Sequence, residues 1–439
     1  MMKNTKCSCQ NEFQVAADAE ALVQEAASQL RPHFRREQAH EHAVDYLRGL
    51  LADVERKNGW QLAEHAGYDH PRGMQRVLDR YSWDHRAARE DLRQYVVTEL
   101  GDPEGILVVD ETGFVKQGMH SAGVARQYCG ILGKIANCQV GVFLGYASPK
   151  GHTGIDGALF VPAGWFREPE RCERAGIPEG MTHRTKPQMA LAMLEAALDG
   201  GVPARWVVGD EAYGSDGKLR RALAAREQAY VLAVRSNEQP STWPPYGAPG
   251  KHAVADLVAA ILADGWQRLS CGEGAQGPRL YDWAYLPLRP ALAEGWVHGL
   301  LVRRHLVRIT ELSYYLVYAP LECPPEEMVR AAGARWTIEE MFKLAKGQVG
   351  LDHYEVRSWR GWHRHITLAL VALAVLAVGA AKRGIWLVPS TSPSPFRKSA
   401  ASWSDFCGSA DSHRKGCWLG PAGGEGTRRL PRLATAVAA

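Results

Sequence analysis

The chain has 439 residues, of which 46% are hydrophobic and 23% are charged. This length and composition are typical of a globular protein with two or three domains and a large core. The net charge of +4 is too small to identify a nucleic-acid partner, and nine scattered cysteines without a CxxC pair argue against a disulfide framework or a zinc site.

The first hundred residues are predicted to be helical, because apolar residues recur at every third or fourth position. We predict a separate helical domain over residues 1–100, for which the resemblance described below implies DNA binding. Within it, residues 59–78 have the outline of a helix-turn-helix, with a Gly/Asp/Pro turn between two short helices. Arg72, Gln75 and Arg76 of the second helix are the predicted DNA contacts. Packing of these helices with their charges turned to solvent is the alternative.

Short apolar runs separated by turns begin near residue 105, and they predict consecutive antiparallel strands. The first run ends at Asp110, which we therefore expect at the end of a buried strand. After a predicted helix over residues 186–198, a second run ends in the same way at Asp210. This β-rich order followed by a βαβ unit predicts an α/β (α+β) fold with a mixed sheet.

Residues 236–324 are predicted to form a β-rich insertion subdomain. The segment starts with a Pro/Gly-rich stretch and continues with strand-like runs over residues 296–309 and 312–318. Its most basic strand contains Arg303 and Arg304, which we predict to contact the DNA backbone. A solvated sheet face would explain the same residues equally well.

The segment of residues 331–346 is predicted to be helical. Offsets of four and seven residues place Arg335, Glu339 and Lys346 on one helix face. One carboxylate would thus lie between two cations, which suits metal-assisted chemistry on a polyanion. The neighbouring acids leave the assignment of the three carboxylates open by one residue: Glu111, Glu211 and Glu340.

The uncharged apolar run of residues 366–381 is about a turn shorter than the ~20 residues of a membrane helix, so we predict a buried helix. The N-terminus has no basic-then-apolar signal peptide, and we expect a cytoplasmic protein without membrane contact. Residues 384–439 are rich in Ser, Pro, Gly and Arg and are predicted to be a disordered basic tail.

Two strand-end aspartates followed by a helical glutamate resemble the DDE transposases of bacterial insertion sequences, whose catalytic domain has an RNase H-like (retroviral-integrase-like) fold. Arg335, Glu339 and Lys346 fit the R-(3)-E-(6)-K part of the YREK signature of one group of these enzymes. The tyrosine of the signature would fall at position 332, where this chain has Ala332. The resemblance covers residues 105–365 and implies a catalytic core in two parts, residues 101–235 and 325–383.

The resemblance implies cut-and-paste DNA transposition, with metal-dependent strand cleavage and strand transfer on double-stranded DNA. It implies that Asp110, Asp210 and Glu339 are catalytic and hold two Mg²⁺ or Mn²⁺ ions, with Asp110 bridging both. Arg335 and Lys346 would bind phosphates of the terminal inverted repeats. The expected partners are those repeats, the target DNA and a second copy of the chain in a synaptic complex at the bacterial nucleoid.

Two other functions stay open. Ala332 and the unusual tail fit a catalytically incompetent, transposase-derived DNA-binding regulator. The run Val108-Val-Asp-Glu-Thr also resembles the start of the haloacid-dehalogenase motif. That motif needs a second aspartate at position 112, and Thr112 there argues against it.

Overall fold

The computed structural model describes residues 18–259, 261–274 and 277–383. The predicted tail of residues 384–439 lies outside the described residues, as do residues 1–17. The helices are α1 (18–30), α2 (Glu37–Leu51), α3 (Gly59–His65), α4 (Arg72–Asp79), α5 (His85–Leu100), α6 (Pro169–Arg174), α7 (Lys186–Asp199), α8 (Glu211–Gly214), α9 (Gly217–Ala225), α10 (Val254–Ala259), α11 (Pro325–Ala334), α12 (Trp336–Val349) and α13 (Trp359–Lys382). The strands are β1 (Ile106–Val115), β2 (Ala125–Cys129), β3 (Lys134–Ser148), β4 (Gly151–Phe160), β5 (Trp206–Gly209), β6 (Tyr230–Val234), β7 (Ser241–Thr242), β8 (Gly250–Lys251), β9 (Gln267–Gly274), β10 (Gly277–Pro290), β11 (Trp296–Arg304) and β12 (Leu312–Pro320).

One sheet of ten strands organises the described part of the chain. Its order is β2-β3-β1-β5-β6-β12-β11-β10-β9, with β4 paired to β3. Strands β1, β5 and β6 run parallel to one another, and the strands on either side of them are antiparallel. The predicted α/β class with a mixed sheet is therefore confirmed.

Strand β1 is longer than predicted. Asp110 lies in its middle rather than at its end, because β3 pairs with β1 continuously from Ile106 to Val115 and overrides the turn-like Glu-Thr-Gly sequence. Asp210 does follow the end of β5, as predicted. The two aspartates still come together, because Val109 is paired with Gly209 in the parallel register.

The inserted strands continue the core sheet. Strand β12 pairs antiparallel with β6, and β11, β10 and β9 follow outward from it. Without β12, β6 would present an open sheet edge, and edges of this kind are normally covered in folded proteins. This pairing makes the sheet continuous, so strand pairing alone marks no subdomain boundary near residues 236 and 324. The boundaries of the insertion therefore stay a prediction.

Helix α13 forms the centre of the helical layer. Among the described residues it is the one helix long and apolar enough to cross a membrane, with a mean hydropathy of 1.9, yet 83% of that apolar stretch is buried inside the protein. It packs against β4, α5, α2 and α4. The Tyr46 hydroxyl of α2, for example, lies 2.9 Å from Nδ1 of His365. The N-terminal helices thus share one core with α13, and a separate domain over residues 1–100 stays a prediction.

Candidate active site

Three acidic side chains meet where β1 passes the end of β5. Carboxylate oxygens of Asp110, Glu111 and Asp210 lie within 4.8 Å of one another. The Asp210 carboxylate also accepts a hydrogen bond of 2.8 Å from the backbone N–H of Ala212, which fixes it at the start of α8. The predicted pairing of Asp110 with Asp210 is therefore seen in the structure.

The sequence indicated Glu111 only as an alternative to Asp110, and not as an additional member of this cluster. Successive strand residues leave opposite faces of a sheet, so a glutamate next to Asp110 would be expected to point away. Glu111 is drawn in from that other face by the Lys186 ammonium, which donates to it at 2.5 Å, and by the Tyr213 hydroxyl at 2.6 Å. Both partners are distant in sequence, so no local pattern could have revealed them.

Burial, followed by charge repulsion, dominates the electrostatics of the cluster. Burial, followed by the neighbouring charge of Asp210, raises the pKa of Asp110 to about 7. Burial and the charge of Glu111 also raise the pKa of Asp210. A cation would relieve this repulsion, and clustered carboxylate oxygens are the donors that Mg²⁺ and Mn²⁺ prefer. The residues present therefore fit a divalent metal ion.

Arg335 connects the acidic cluster to Glu339. The predicted single helix is interrupted at Arg335, which separates α11 from α12. The guanidinium donates a hydrogen bond of 2.8 Å to Glu339 and lies 3.5 Å from the Asp110 carboxylate. Glu339 is consequently close to the cluster but is not one of its three members.

The two neighbouring glutamates of α12 have opposite surroundings. Glu339 has a side chain that is 51% exposed, whereas the side chain of Glu340 is 6% exposed and lies 4.0 Å from His152. Burial raises the pKa of Glu340 to about 7 and lowers that of His152 to about 4. Of the two, Glu339 is therefore the one that faces the acidic cluster.

Lys346, near the end of α12, reaches back to β1. Its ammonium donates a hydrogen bond of 2.7 Å to the Thr112 hydroxyl and lies 5.5 Å from the centre of the Phe114 ring. Burial lowers the pKa of Lys346. The structure therefore holds this cation two residues beyond Asp110 on the same strand.

A cleft of about 760 Å³ opens beside the acids. Asp210, Glu339 and Ala332 line one part of it, and strands β9, β10 and β12 supply much of the rest. Three cations face this space: Arg279, Arg303 and Arg335.

The two predicted arginines of β11 differ in their surroundings. Arg303 lines the cleft, where its guanidinium lies 4.7 Å from the centre of the Tyr281 ring and donates to the Ser313 hydroxyl at 2.9 Å. Arg304 is paired instead with Asp282 at 3.3 Å and lies over Trp266. Sequence alone could not separate the two, since either could have faced the cleft.

The predicted helix-turn-helix corresponds to α3 and α4. Met74, Val77 and Leu78 of α4 are buried. The other face exposes the three residues predicted to contact DNA, Arg72, Gln75 and Arg76. The DNA contact itself stays a prediction.

A mixed sheet whose central strand β1 carries two acids beside a third at the end of β5 is consistent with a nuclease-like fold of the DDE class. Residues 29–256, more than half of the chain, match the family described as DDE superfamily endonuclease, and the chain belongs to this family. Residues 183–375 match a second family, the transposase DDE domain.

A relative from Microchaete diplosiphon is described as a probable transposase for insertion sequence element IS701. It is 31% identical to this chain over 202 residues, which are 44% of the chain and 49% of the relative. The chain thus matches about half the length of this curated relative. Together with the two family matches, this similarity confirms the resemblance to the DDE transposases of bacterial insertion sequences.

Proposed function

We propose that this protein binds the terminal inverted repeats of an insertion sequence and catalyses divalent-metal-dependent DNA strand cleavage and strand transfer. The observation that carries the proposal is the acidic cluster of Asp110, Glu111 and Asp210, which opens beside a cleft lined by three arginines. Acids suit a metal ion and arginines suit DNA phosphates, so both charges needed for phosphodiester chemistry lie side by side.

Asp110 and Asp210 are the proposed ligands of Mg²⁺ or Mn²⁺, with Glu339 as the third and two ions as the expected number. Such ions, when bound, activate the attacking oxygen and neutralise charge on the scissile phosphate. Glu339 would join the ligand set once Arg335 turns toward a phosphate, because Arg335 is the group that now pairs with it. Glu111 anchors the cluster through Lys186 and Tyr213.

Arg335 and Lys346 are the proposed phosphate-binding residues of the site. The Arg335 guanidinium lies 3.5 Å from Asp110 and borders the cleft. A small movement of this side chain would therefore bring it from Asp110 to a bound phosphate. Lys346 is held on Thr112, two residues beyond Asp110 on β1. A DNA strand bound at Asp110 would therefore have two cations close to its phosphates.

Two further groups of residues, one on β11 and one on α4, are proposed to hold DNA away from the reacting phosphate. Arg303 borders the cleft, and Arg304 lies next to it on β11. Arg72, Gln75 and Arg76 form an exposed polar face on α4. These contacts would hold the two transposon ends and the target DNA. We further propose that the protein acts as a homodimer, in the bacterial cytoplasm at the nucleoid.

Strand cleavage of a labelled duplex carrying the element's own terminal repeat tests the proposal. The wild-type protein should cleave it with Mg²⁺ or Mn²⁺ and not with EDTA, and Asp210→Asn should bind the duplex without cleaving it. Metal-independent cleavage, or equal cleavage by Asp210→Asn, would refute the assigned site.

A catalytically incompetent DNA-binding regulator is the second proposal. It is favoured by Ala332, which replaces the signature tyrosine, and by the position of Glu339, which lies outside the close acidic cluster. The same assay separates the two, because a regulator would bind the terminal repeat tightly and leave it intact with either metal.

A further inference from the structure

The β2–β3 hairpin, residues 125–138, carries apolar side chains that nothing in the described protein covers. Tyr128 and Ile135 are directly paired across the two strands, and each is 62% exposed. At the tip, Ile131 is 54% exposed and Leu132 is 44% exposed. Four large apolar groups therefore share one end of the hairpin.

The opposite face of the hairpin is anchored. Cys129 and Cys138 are fully buried and form a small apolar cluster with Val140. The outer apolar groups are therefore not spare core residues, because the hairpin already has a core on its inner side. They are presented to solvent by a strand pair that is held in place.

The charge around these apolar groups has one sign. Residues 112–155 contain four Lys or Arg and no Asp or Glu. Two of the cations, Arg126 and Lys134, are exposed on the hairpin and make no ion pair with any residue in the described ranges. A surface with apolar side chains surrounded only by cations fits DNA, because the cations can bind its phosphates and the apolar side chains can contact its base pairs.

The hairpin also projects past the acidic cluster. Asp110 is paired with Phe143 of β3, and Gly133 at the tip, just before the start of β3, lies ten residues before Phe143. A straight strand would span about 33 Å over that distance. This length corresponds to roughly ten base pairs of a duplex passing the active site.

We propose that the tip of the β2–β3 hairpin enters a groove of the bound duplex about ten base pairs from the cleaved phosphate, with Ile131 and Leu132 as the apolar wedge. The proposal rests on the proposed function, since it requires DNA in the cleft. Arg126 and Lys134 contact the phosphates on either side. A second copy of the chain is disfavoured as the occupant, because a two-fold contact between identical hairpins would bring like charges together.

The experiment uses the full-length protein and a duplex with the terminal repeat and 20 base pairs added on each side. The double variant Ile131→Ser/Leu132→Ser is compared with Leu292→Ser/Leu321→Ser, which removes two exposed leucines elsewhere. Binding is measured by fluorescence anisotropy and by hydroxyl-radical footprinting with Ca²⁺, and both variants are checked by thermal melting.

The tip variant should bind about tenfold more weakly, should lose protection about ten base pairs from the cleavage position and should melt like wild type. The control variant should keep wild-type affinity and protection. Unchanged affinity and footprint in the tip variant would overturn the hairpin proposal, as would a shift from dimer to monomer by light scattering. Binding of wild type without cleavage would instead count against the proposed function alone.

Discussion

The two walls of the cleft carry opposite charge and come from different parts of the chain. The acidic wall contains Asp210, which follows β5 and lines the cleft, and its neighbour Asp110 on β1 lies close enough for the two carboxylates to repel each other. The basic wall comes largely from the inserted antiparallel strands, with Arg279 and Arg303. The difference leads us to propose that metal binding and DNA binding belong to separate walls, so each should be removable without the other.

Of the variants that test the difference between the two walls, Glu339→Gln should have the largest effect on DNA cleavage. Glu339→Gln removes a proposed metal ligand and should reduce cleavage by at least roughly a thousandfold while DNA affinity stays within a few fold. Glu340→Gln, one residue away but buried against β4, should cleave like wild type. Cleavage rates and duplex affinities measured at pH 8 give the check, and the reverse ranking would show that Glu340 is the third acid.

Arg335→Ala should have the next largest effect. The change removes the guanidinium that contacts both Asp110 and Glu339, so we expect cleavage to fall by about 10- to 100-fold, in the range of groups that orient metal ligands. Lys343→Ala on the exposed side of the same helix is the matched control and should stay near wild type. If both variants were equally affected, a general loss of positive charge would explain the result better than a specific contact.

Arg303→Ala and Arg304→Ala test the basic wall. Arg303 lines the cleft, so its loss should weaken duplex binding and reduce the salt dependence of binding by about one phosphate contact. Arg304 is engaged by Asp282 and Trp266, so its loss should change DNA binding less and lower the melting temperature instead. Anisotropy titrations at several salt concentrations would measure both slopes, and a larger slope change for Arg304→Ala would contradict the assignment.

The smallest expected effect is on stability. Burial raises the pKa of Glu340 from 4.5 to about 7, so the unfolded chain releases its proton at a lower pH than the folded protein. The wild type therefore loses stability as pH rises from about 4.5 to 7, and the loss is complete above that window. Glu340→Gln removes this loss and should melt higher than wild type at pH 8, by roughly 2–4 °C for each kcal/mol recovered.

The same comparison at pH 4.5 should show a much smaller difference, because the Glu340 carboxyl is then mostly protonated in the folded protein. Glu339→Gln serves as the control, since its carboxylate is half exposed. A difference in melting temperature that does not depend on pH would mean that Glu340 does not titrate as described.

Sequence patterns predicted the mixed sheet correctly and the strand-end position of one of the two aspartates. The apolar run that stops at Asp210 predicted a strand end correctly, because β5 is short and buried on both faces. The same logic put the end of β1 at Asp110, and it was wrong because pairing with β3 continues five residues further. Local residue preferences could not anticipate a partner strand thirty residues away.

The details of the site depend on contacts between distant segments. Glu111 joins the cluster because Lys186 and Tyr213 hold it there, and neither follows from the sequence around Glu111. Helical spacing correctly paired Arg335 with Glu339 but did not reveal that Arg335 also reaches Asp110. The continuity of the inserted strands with the core depends in the same way on pairing between Tyr314 and Val234.

Binding of Mn²⁺ to the full-length protein, followed by the loss of the free-ion electron paramagnetic resonance signal, tests the acidic wall most directly. Wild type and Glu340→Gln should bind the ion equally, and Asp110→Asn should bind it at least about tenfold more weakly because a ligand at the centre of the cluster is gone. Equal affinity of Asp110→Asn and wild type would contradict the assignment of this cluster as the metal site.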